Sequence, residues 1–172
     1  VIIAEDSRAS GKEIAGYLAR GIRAAGYNAV HIGVAPTPAA SFLTQKHNAV
    51  CGIVISASHN PAEFNGIKFF SPLGCKINEE LEADIENAIE ACASVPAEVP
   101  GTSFVYKKEL IEDYVDFLKS TFPKDIDLKG TKIVLDCANG ASYQIAPRVF
   151  KELGADITAL NVNPDGFNIN DN

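Results

Sequence analysis

The chain has 172 residues, 15 Lys and Arg against 22 Asp and Glu (net charge −7), and 47% apolar residues. That length and composition make a cored globular unit of one domain, or one and a fraction, and the acidic balance argues against nucleic acid as a partner. No apolar run approaches the ~20 residues that span a bilayer, and the four cysteines (Cys51, Cys75, Cys92, Cys137) show no C-x-x-C spacing, which argues against a zinc site or a disulfide framework.

The cysteines are therefore expected to be reduced core thiols of a cytoplasmic protein with no membrane contact. Val1-Ile2-Ile3-Ala4 has the character of a strand already under way, and Asn170-Asp171-Asn172 that of a polar loop. Both ends read as cut from something longer.

Val1–Ala4 predicts a strand, and Glu5–Gly11 a polar loop that feeds a helix. Ser10 is the expected N-cap, with Glu13 completing a capping box. Ile14, Leu18, Ile22 and Ala25 lie at helical spacing before Gly26, which suits a C′ position. Residues 29–32 predict a second strand. Thr37-Pro38 predicts an N-cap followed by proline at N1 of a helix running to Lys46, and residues 50–55 a third strand. Alternation of strand and helix predicts βαβ units and a largely parallel sheet.

Beyond that strand the pattern changes. Residues 67–70 and 75–77 predict short strands around Ser71-Pro72-Leu73-Gly74. Asn78 is the expected cap of an acidic helix to Cys92, with Leu81, Ile85, Ala88 and Ile89 on one face. Residues 94–103 have the composition of a linker. Leu110, Ile111, Tyr114, Phe117 and Leu118 predict a further helix. A strand at 132–135, a loop at 136–141, a helix at 143–153 and a strand at 156–160 make one more βαβ unit, too little to bury both faces of its sheet. The expected fold is α/β: a mixed, largely parallel sheet with helices on both faces, then the first βαβ part of a second similar domain. The expected division is residues 1–108 and 112–172.

The chemistry concentrates in Ser56-Ala57-Ser58-His59-Asn60-Pro61, directly after the buried run Ile53-Val54-Ile55, and in Lys68 shortly beyond. Loops at the carboxyl ends of parallel strands are where open α/β sheets bind ligands. A hydroxyl, an imidazole and an ammonium within eleven residues suit the handling of a phosphoryl group. A serine that carries phosphate gains roughly −1.5 to −2 charges and needs cationic partners. Lys68 and Arg8 are the candidates, because the loop after the first strand emerges on the same sheet edge. His59 suits proton transfer to or from a sugar hydroxyl.

Plainer roles compete for each residue. The Ser58 loop could be a polar turn, Arg8 a surface or capping charge, and Lys68 the solvated side of a strand. His31 reads as a strand residue, His47 as a helix end, and Asp136 with Asn139 as an Asx-type turn. A serine hydrolase would want a Gly-x-Ser-x-Gly elbow, which is absent, and no P-loop is present.

Gly52–Pro61 followed by Asn65-Gly66-Ile67-Lys68-Phe69-Phe70 resembles the phosphoserine loop of the α-D-phosphohexomutase superfamily. Asp6-Ser7-Arg8-Ala9-Ser10-Gly11 is similar to that family's Asp-Thr-Arg-x-Ser-Gly loop, with Ser7 for threonine. Leu135–Ala141 and Asn163–Asn170 resemble the opening of its second domain. Ser56, where relatives acting on glucose or mannose phosphates often carry threonine, points to the glucosamine branch. The resemblance implies an intramolecular phosphotransferase in which phosphorylated Ser58 converts glucosamine 6-phosphate to glucosamine 1-phosphate, and back, through a bisphosphate. It supplies UDP-N-acetylglucosamine synthesis. The resemblance further implies Mg2+, bound through the Ser58 phosphate. It assigns His59 to proton transfer, Lys68 to phosphate neutralisation and Arg8 to the cleft. A hexosamine phosphate is the implied partner, and a homodimer of the full-length protein is compatible with it. The family's Asp-Gly-Asp metal loop and its later sugar- and phosphate-binding loops do not occur in these residues, so this piece alone is expected to be catalytically silent. The alternatives are a phosphomannomutase or phosphoglucomutase of the same superfamily and a non-catalytic phosphosugar-binding module.

Overall fold

Ile2-Ile3-Ala4 and Ile53-Val54-Ile55 have no polar side to offer water, so each must be covered on both faces. The computed structural model, which describes residues 1–92 and 104–171, does this with helices on either side of one sheet. The elements in chain order are β1 (Ile2–Glu5), α1 (Gly11–Ala24), β2 (Val30–Val34), α2 (Thr37–Lys46), β3 (Gly52–Ile55), β4 (Ile67–Phe70), α3 (Glu79–Ala91), β5 (Val105–Tyr106), α4 (Leu110–Ser120), β6 (Lys132–Asp136), α5 (Ile145–Glu152) and β7 (Asp156–Leu160).

Among the described residues, the main sheet has the order β4-β3-β1-β2-β5. β1, β2, β3 and β5 run parallel, and β4 returns antiparallel along β3. Ile3, Ile53 and Ile55 face Ala15 and Ala19 of α1, with Ile14, Leu18 and Ile22 at the margin. Ile2, Ala4, Val54 and Phe70 face Ala39, Ala40 and Leu43 of α2 and Tyr114 and Val115 of α4. The chain moves from β1 to β2 on one side and then crosses to β3 on the other. The direction of winding therefore reverses beside β1, and the loops after β1 and β3 flank the reversal. That crevice is where doubly wound sheets place ligands.

Gly52 shows how closely α2 packs. A Cβ there would lie 2.2 Å from Thr44 Oγ1, and Thr44 is itself fixed by a 2.7 Å hydrogen bond to the Ala40 carbonyl. A buried imidazole sits in the same sheet. His31 Nδ1 accepts the Gly33 N–H at 3.0 Å, which leaves the ring proton on Nε2, 3.7 Å from Glu5 Oε2.

β6 and β7 form a separate parallel pair bridged by α5. One side of this pair (Ile133, Leu135, Ile157, Ala159) is half-buried and the other is exposed. Ile145 and Val149 of α5 join the core on α4. Around this contact Arg148 holds Glu112 and Glu152, and Lys119 holds Asp116 and Glu152. On its other flank α4 meets α2, where Asp113 pairs with Lys46 at 3.1 Å and His47 at 2.7 Å. No described helix is long and apolar enough to cross a membrane.

Several local expectations need correction. Ser10 precedes α1, but its backbone is already helical (φ −72°, ψ −15°) and its side chain caps nothing. Its Oγ instead accepts from Asn65 Nδ2 at 2.9 Å. Pro36, extended at ψ 150°, is the N-cap of α2, and Thr37 is its first residue. Residues 75–77 contribute a single bridge, Phe70 to Lys76, rather than a strand. The helix expected at 143–153 begins at Ile145. The apolar residues of α3 do not reach the core; none of its side chains is buried. Cys137 is buried and Cys51 half-buried, and desolvation raises both thiol pKa values. Cys75 and Cys92 are exposed, so they are not core thiols. The expected linker at 94–103 lies outside the described residues, apart from its boundary with Phe104.

The Asp113 carboxyl is held below the ordinary carboxylate range, chiefly by the Lys46 hydrogen bond and then by His47. A lowered native pKa means that the unfolded chain takes up the proton first. The stabilisation is thus complete above about pH 4 and fades as pH falls through the native value. Asp113→Asn is expected to shallow the acid limb of the urea-midpoint profile; superimposable limbs would remove this cluster as a contributor.

Candidate active site

The third strand ends in a polar loop because its apolar run ends at Ile55. Ser56, still buried, uses its Oγ to accept the Ser58 N–H at 3.1 Å, a local Ser turn of the kind that competes with regular structure. Its own N–H goes to the Gly66 carbonyl at 2.8 Å, closing the base of the loop. Ser58 then adopts φ +60°. A non-glycine residue is uncommon in this region, and such conformations gather at functional loops. The result is an exposed Ser58 hydroxyl with His59 Nδ1 at 3.4 Å. That distance is long for a hydrogen bond, and His59 is likewise exposed.

Arg8 lies beneath this loop. Its side chain is fully buried, and its Nε donates to Asp6 Oδ2 at 3.0 Å while Asp6 Oδ1 accepts the Arg8 N–H at 3.1 Å. Nη2 donates to the carbonyls of Ser58 at 3.0 Å and Asn60 at 2.8 Å, and Nη1 donates to that of Pro61. A guanidinium has five N–H donors in a planar fork. Four acceptors already meet them, so Arg8 is placed as a clamp under the loop, not as a free cation facing an anion. The expectation of Arg8 as a cationic partner of the phosphate is revised on that ground.

The cleft above Ser58 has a volume of about 310 Å³; Asp6, Thr37, Ser56, Ser58, His59 and Asn170 are among its lining residues. Gly140, Ala141 and Ser142, from the loop between β6 and α5, close the opposite wall. Lys68 does not line it. Lys68 stands opposite Val54 in the β3–β4 ladder and is half-buried. Directly paired residues share a face, so its side chain belongs to the α2 side of the sheet. The structure therefore brings Ser58, His59 and Arg8 together and leaves Lys68 one strand away.

The β6–β7 unit, where the sequence leaves both a functional role and an Asx-type turn open for Asp136 and Asn139, reaches the cleft through Gly140, Ala141, Ser142, Ile169 and Asn170. Asn139 is buried, with Oδ1 accepting the Asn163 N–H at 3.1 Å and Nδ2 donating to the Asn168 carbonyl at 3.3 Å; its own carbonyl accepts from Ser7 Oγ. Asp136 is held below the usual carboxylate range by the Ala138 N–H and then Asn161, so the expected Asx turn is present. Asn139, in the loop after β6, and Asn161 and Asn170, in the loop after β7, all adopt positive φ.

Among the described residues no cluster of three or more His, Cys, Asp or Glu could hold a metal ion. Asp6, the carboxylate of the cleft, is bound to Arg8. A Mg2+ site built from hard oxygen ligands is thus not complete in these residues.

Residues 1–95 match the family described as phosphoglucomutase/phosphomannomutase, alpha/beta/alpha domain I. The chain belongs to this family. Curated relatives named phosphoglucosamine mutase include one from Bordetella petrii, 48% identical over 99% of this chain and 38% of its own length. One from Clostridium beijerinckii is 45% identical over 100% of this chain and 39% of its own. The chain thus spans about two fifths of the curated relatives it matches. Among solved structures, a phosphoglucomutase/phosphomannomutase family protein from Burkholderia thailandensis superposes with TM-score 0.75 at 29% identity, covering 96% of this chain and 36% of that one. A chain from Thermus thermophilus at TM-score 0.79 and 24% identity, covering 96% and 38%, shares the fold. The phosphoglucomutase/phosphomannomutase family thus accounts for the sheet that carries Ser58.

Removing the Arg8 side chain would leave the buried Asp6 carboxylate without its counter-charge and take one donor from each of the Ser58, Asn60 and Pro61 carbonyls. Arg8→Ala is expected to cost about 3–5 kcal/mol in urea unfolding. Arg8→Lys should recover little of it, because an ammonium cannot reproduce the fork. Full recovery in the lysine variant would show that charge alone is required.

Proposed function

We propose that this chain is part of a phosphoglucosamine mutase, with Ser58 as its phosphoryl carrier. The observation that carries the reading is the exposed Ser58 hydroxyl, in a left-handed backbone conformation, in the cleft at the reversal point of the sheet. The names of the curated relatives support the amino-sugar substrate.

In this reading, phosphorylated Ser58 faces the free hydroxyl of a hexosamine monophosphate. The bond from phosphorus to Ser58 Oγ breaks as the bond to the sugar oxygen forms, and the hydroxyl proton passes to His59. The bisphosphate then turns over in the cleft and returns its other phosphoryl group to Ser58 Oγ, as His59 gives its proton to the sugar oxygen released, so that glucosamine 6-phosphate and glucosamine 1-phosphate interconvert. Phosphoryl transfer depends mainly on positioning and charge neutralisation. Arg8 serves the first by fixing the loop, and Lys68 serves the second from the neighbouring strand. Mg2+ would supply further neutralisation, with the Ser58 phosphate as its ligand in this chain. The same reading takes residues 1–108 as the first phosphohexomutase domain and 112–172 as the opening of the second, and assigns a cytoplasmic location. A phosphoglucomutase or phosphomannomutase activity is the second reading, favoured by the name of the Burkholderia structure. A substrate panel on the full-length protein separates the two.

Intact-mass analysis of the full-length protein is expected to show a phosphoryl adduct on Ser58 that disappears in Ser58→Ala; an adduct on Ser56 instead would overturn the assignment. The 172-residue chain by itself is expected to show no turnover and to bind Mg2+ only weakly, and a micromolar affinity in a calorimetric titration would contradict this.

A further inference from the structure

The carbonyls of Ser58 and Asn60 are each approached by two nitrogens from different parts of the chain. One is Arg8 Nη2, from the loop after β1. The other is Asn170 Nδ2, from the loop after β7, at 3.4 Å from both oxygens. Each carbonyl has two lone pairs, so Arg8 does not exclude the second donor.

Asn170 is held in place by its own surroundings. Its backbone N–H donates to the Ala138 carbonyl at 2.9 Å, and Ile169 beside it is buried. Asp165 Oδ1 accepts the N–H groups of Phe167 and Asn168, and Asn168 Nδ2 donates to the Asn163 carbonyl. The same loop docks on the first unit through the Ala9 N–H, which donates to the Gly166 carbonyl at 3.0 Å. Gly166 has φ +97°, and a Cβ there would meet the Ala9 Cβ at 3.0 Å, so the two loops touch backbone to backbone. Asn170 adopts φ +61°, a conformation that asparagine takes more readily than most residues.

Ser58 is therefore gripped at both ends of its own backbone. Ser56 Oγ holds the N–H at 3.1 Å and Arg8 holds the C=O at 3.0 Å, while Asn170 Nδ2 makes a longer, weaker approach to the same oxygen at 3.4 Å. Ser56 and Arg8 belong to the sheet that carries Ser58, whereas Asn170 arrives with the β6–α5–β7 unit. The orientation of that carbonyl is coupled to the backbone angles that aim the side chain.

We propose that Asn170 is a positioning residue for Ser58: its amide, delivered when the β6–α5–β7 unit docks, completes the hold on the Ser58 backbone and directs Oγ into the cleft. This deepens the reading of Ser58 as phosphoryl carrier and rests on it for its catalytic consequence.

The test compares the full-length protein with Asn170→Asp and Asn170→Gly. Both replacements tolerate positive φ; the first keeps the shape but turns the donor into an acceptor, and the second removes the side chain. Amide exchange at residues 57–60 is expected to quicken about tenfold in both, with β1 and β6 unchanged. On glucosamine 6-phosphate, kcat is expected to fall about ten- to a hundredfold, with KM within about twofold. Unchanged exchange at 57–60, unchanged kcat, or a loss of protection spread evenly through β6 and β7 overturns the proposal. The exchange measurement needs no phosphoryl group, so its failure is distinct from a failure to find phosphate on Ser58, which would overturn the functional reading instead.

Discussion

The site depends on one buried guanidinium. Arg8 joins the loop after β1 to the loop after β3, with Asp6 as its counter-charge and three backbone carbonyls as its remaining acceptors. A buried charge left without partners is costly, and a fully paired one roughly breaks even. The return for this one is geometric. It transfers the rigidity of the central strands to a loop that would otherwise take many conformations, and it turns the carbonyls inward so that the hydroxyl is left facing out.

The second unit is held by two unlike kinds of contact. At the helices it is apolar, with Ile145 and Val149 against Tyr114 and Val115, ringed by exposed ion pairs of the Arg148 and Lys119 network. Such pairs contribute little each and weaken with salt, so the buried aliphatic contact provides most of the attraction. At the loops the contact is almost wholly polar and backbone-directed: Ser7 to Asn139, Ala9 to Gly166. The apolar patch supplies affinity and the loop contacts supply register.

The sheet was legible in the amino acids because its cause is local. Runs such as Ile53-Val54-Ile55, and helical spacing such as Leu110, Tyr114 and Leu118, name their elements without help from the rest of the chain. The place of Ser58 at a strand end was legible for the same reason. Ser10 misled because a capping box needs an extended backbone at the cap, and Asn65, 55 residues away, offers its hydroxyl another partner. Arg8 misled more seriously. Its sequence neighbours are equally consistent with a free cation, and the carbonyls that occupy it lie 50 residues or more further on. Asn139 and Asn170 were hidden by the ordinary turn chemistry of asparagine, since nothing local separates an Asx turn from a bridge to another unit.

Helix α3 has a different standing in the molecule. Its start is secured by Asn78, whose Oδ1 accepts the Leu81 N–H at 3.0 Å, and by the Lys76–Glu82 pair, yet it buries no side chain. A helix of 13 residues is marginal in water without tertiary packing. Among the described helices it is therefore the one expected to fray first on warming. The loop that bears the hydroxyl, nailed to the central strands, would outlast it, so the outer edge of the protein can come apart while the chemistry-bearing corner stays assembled.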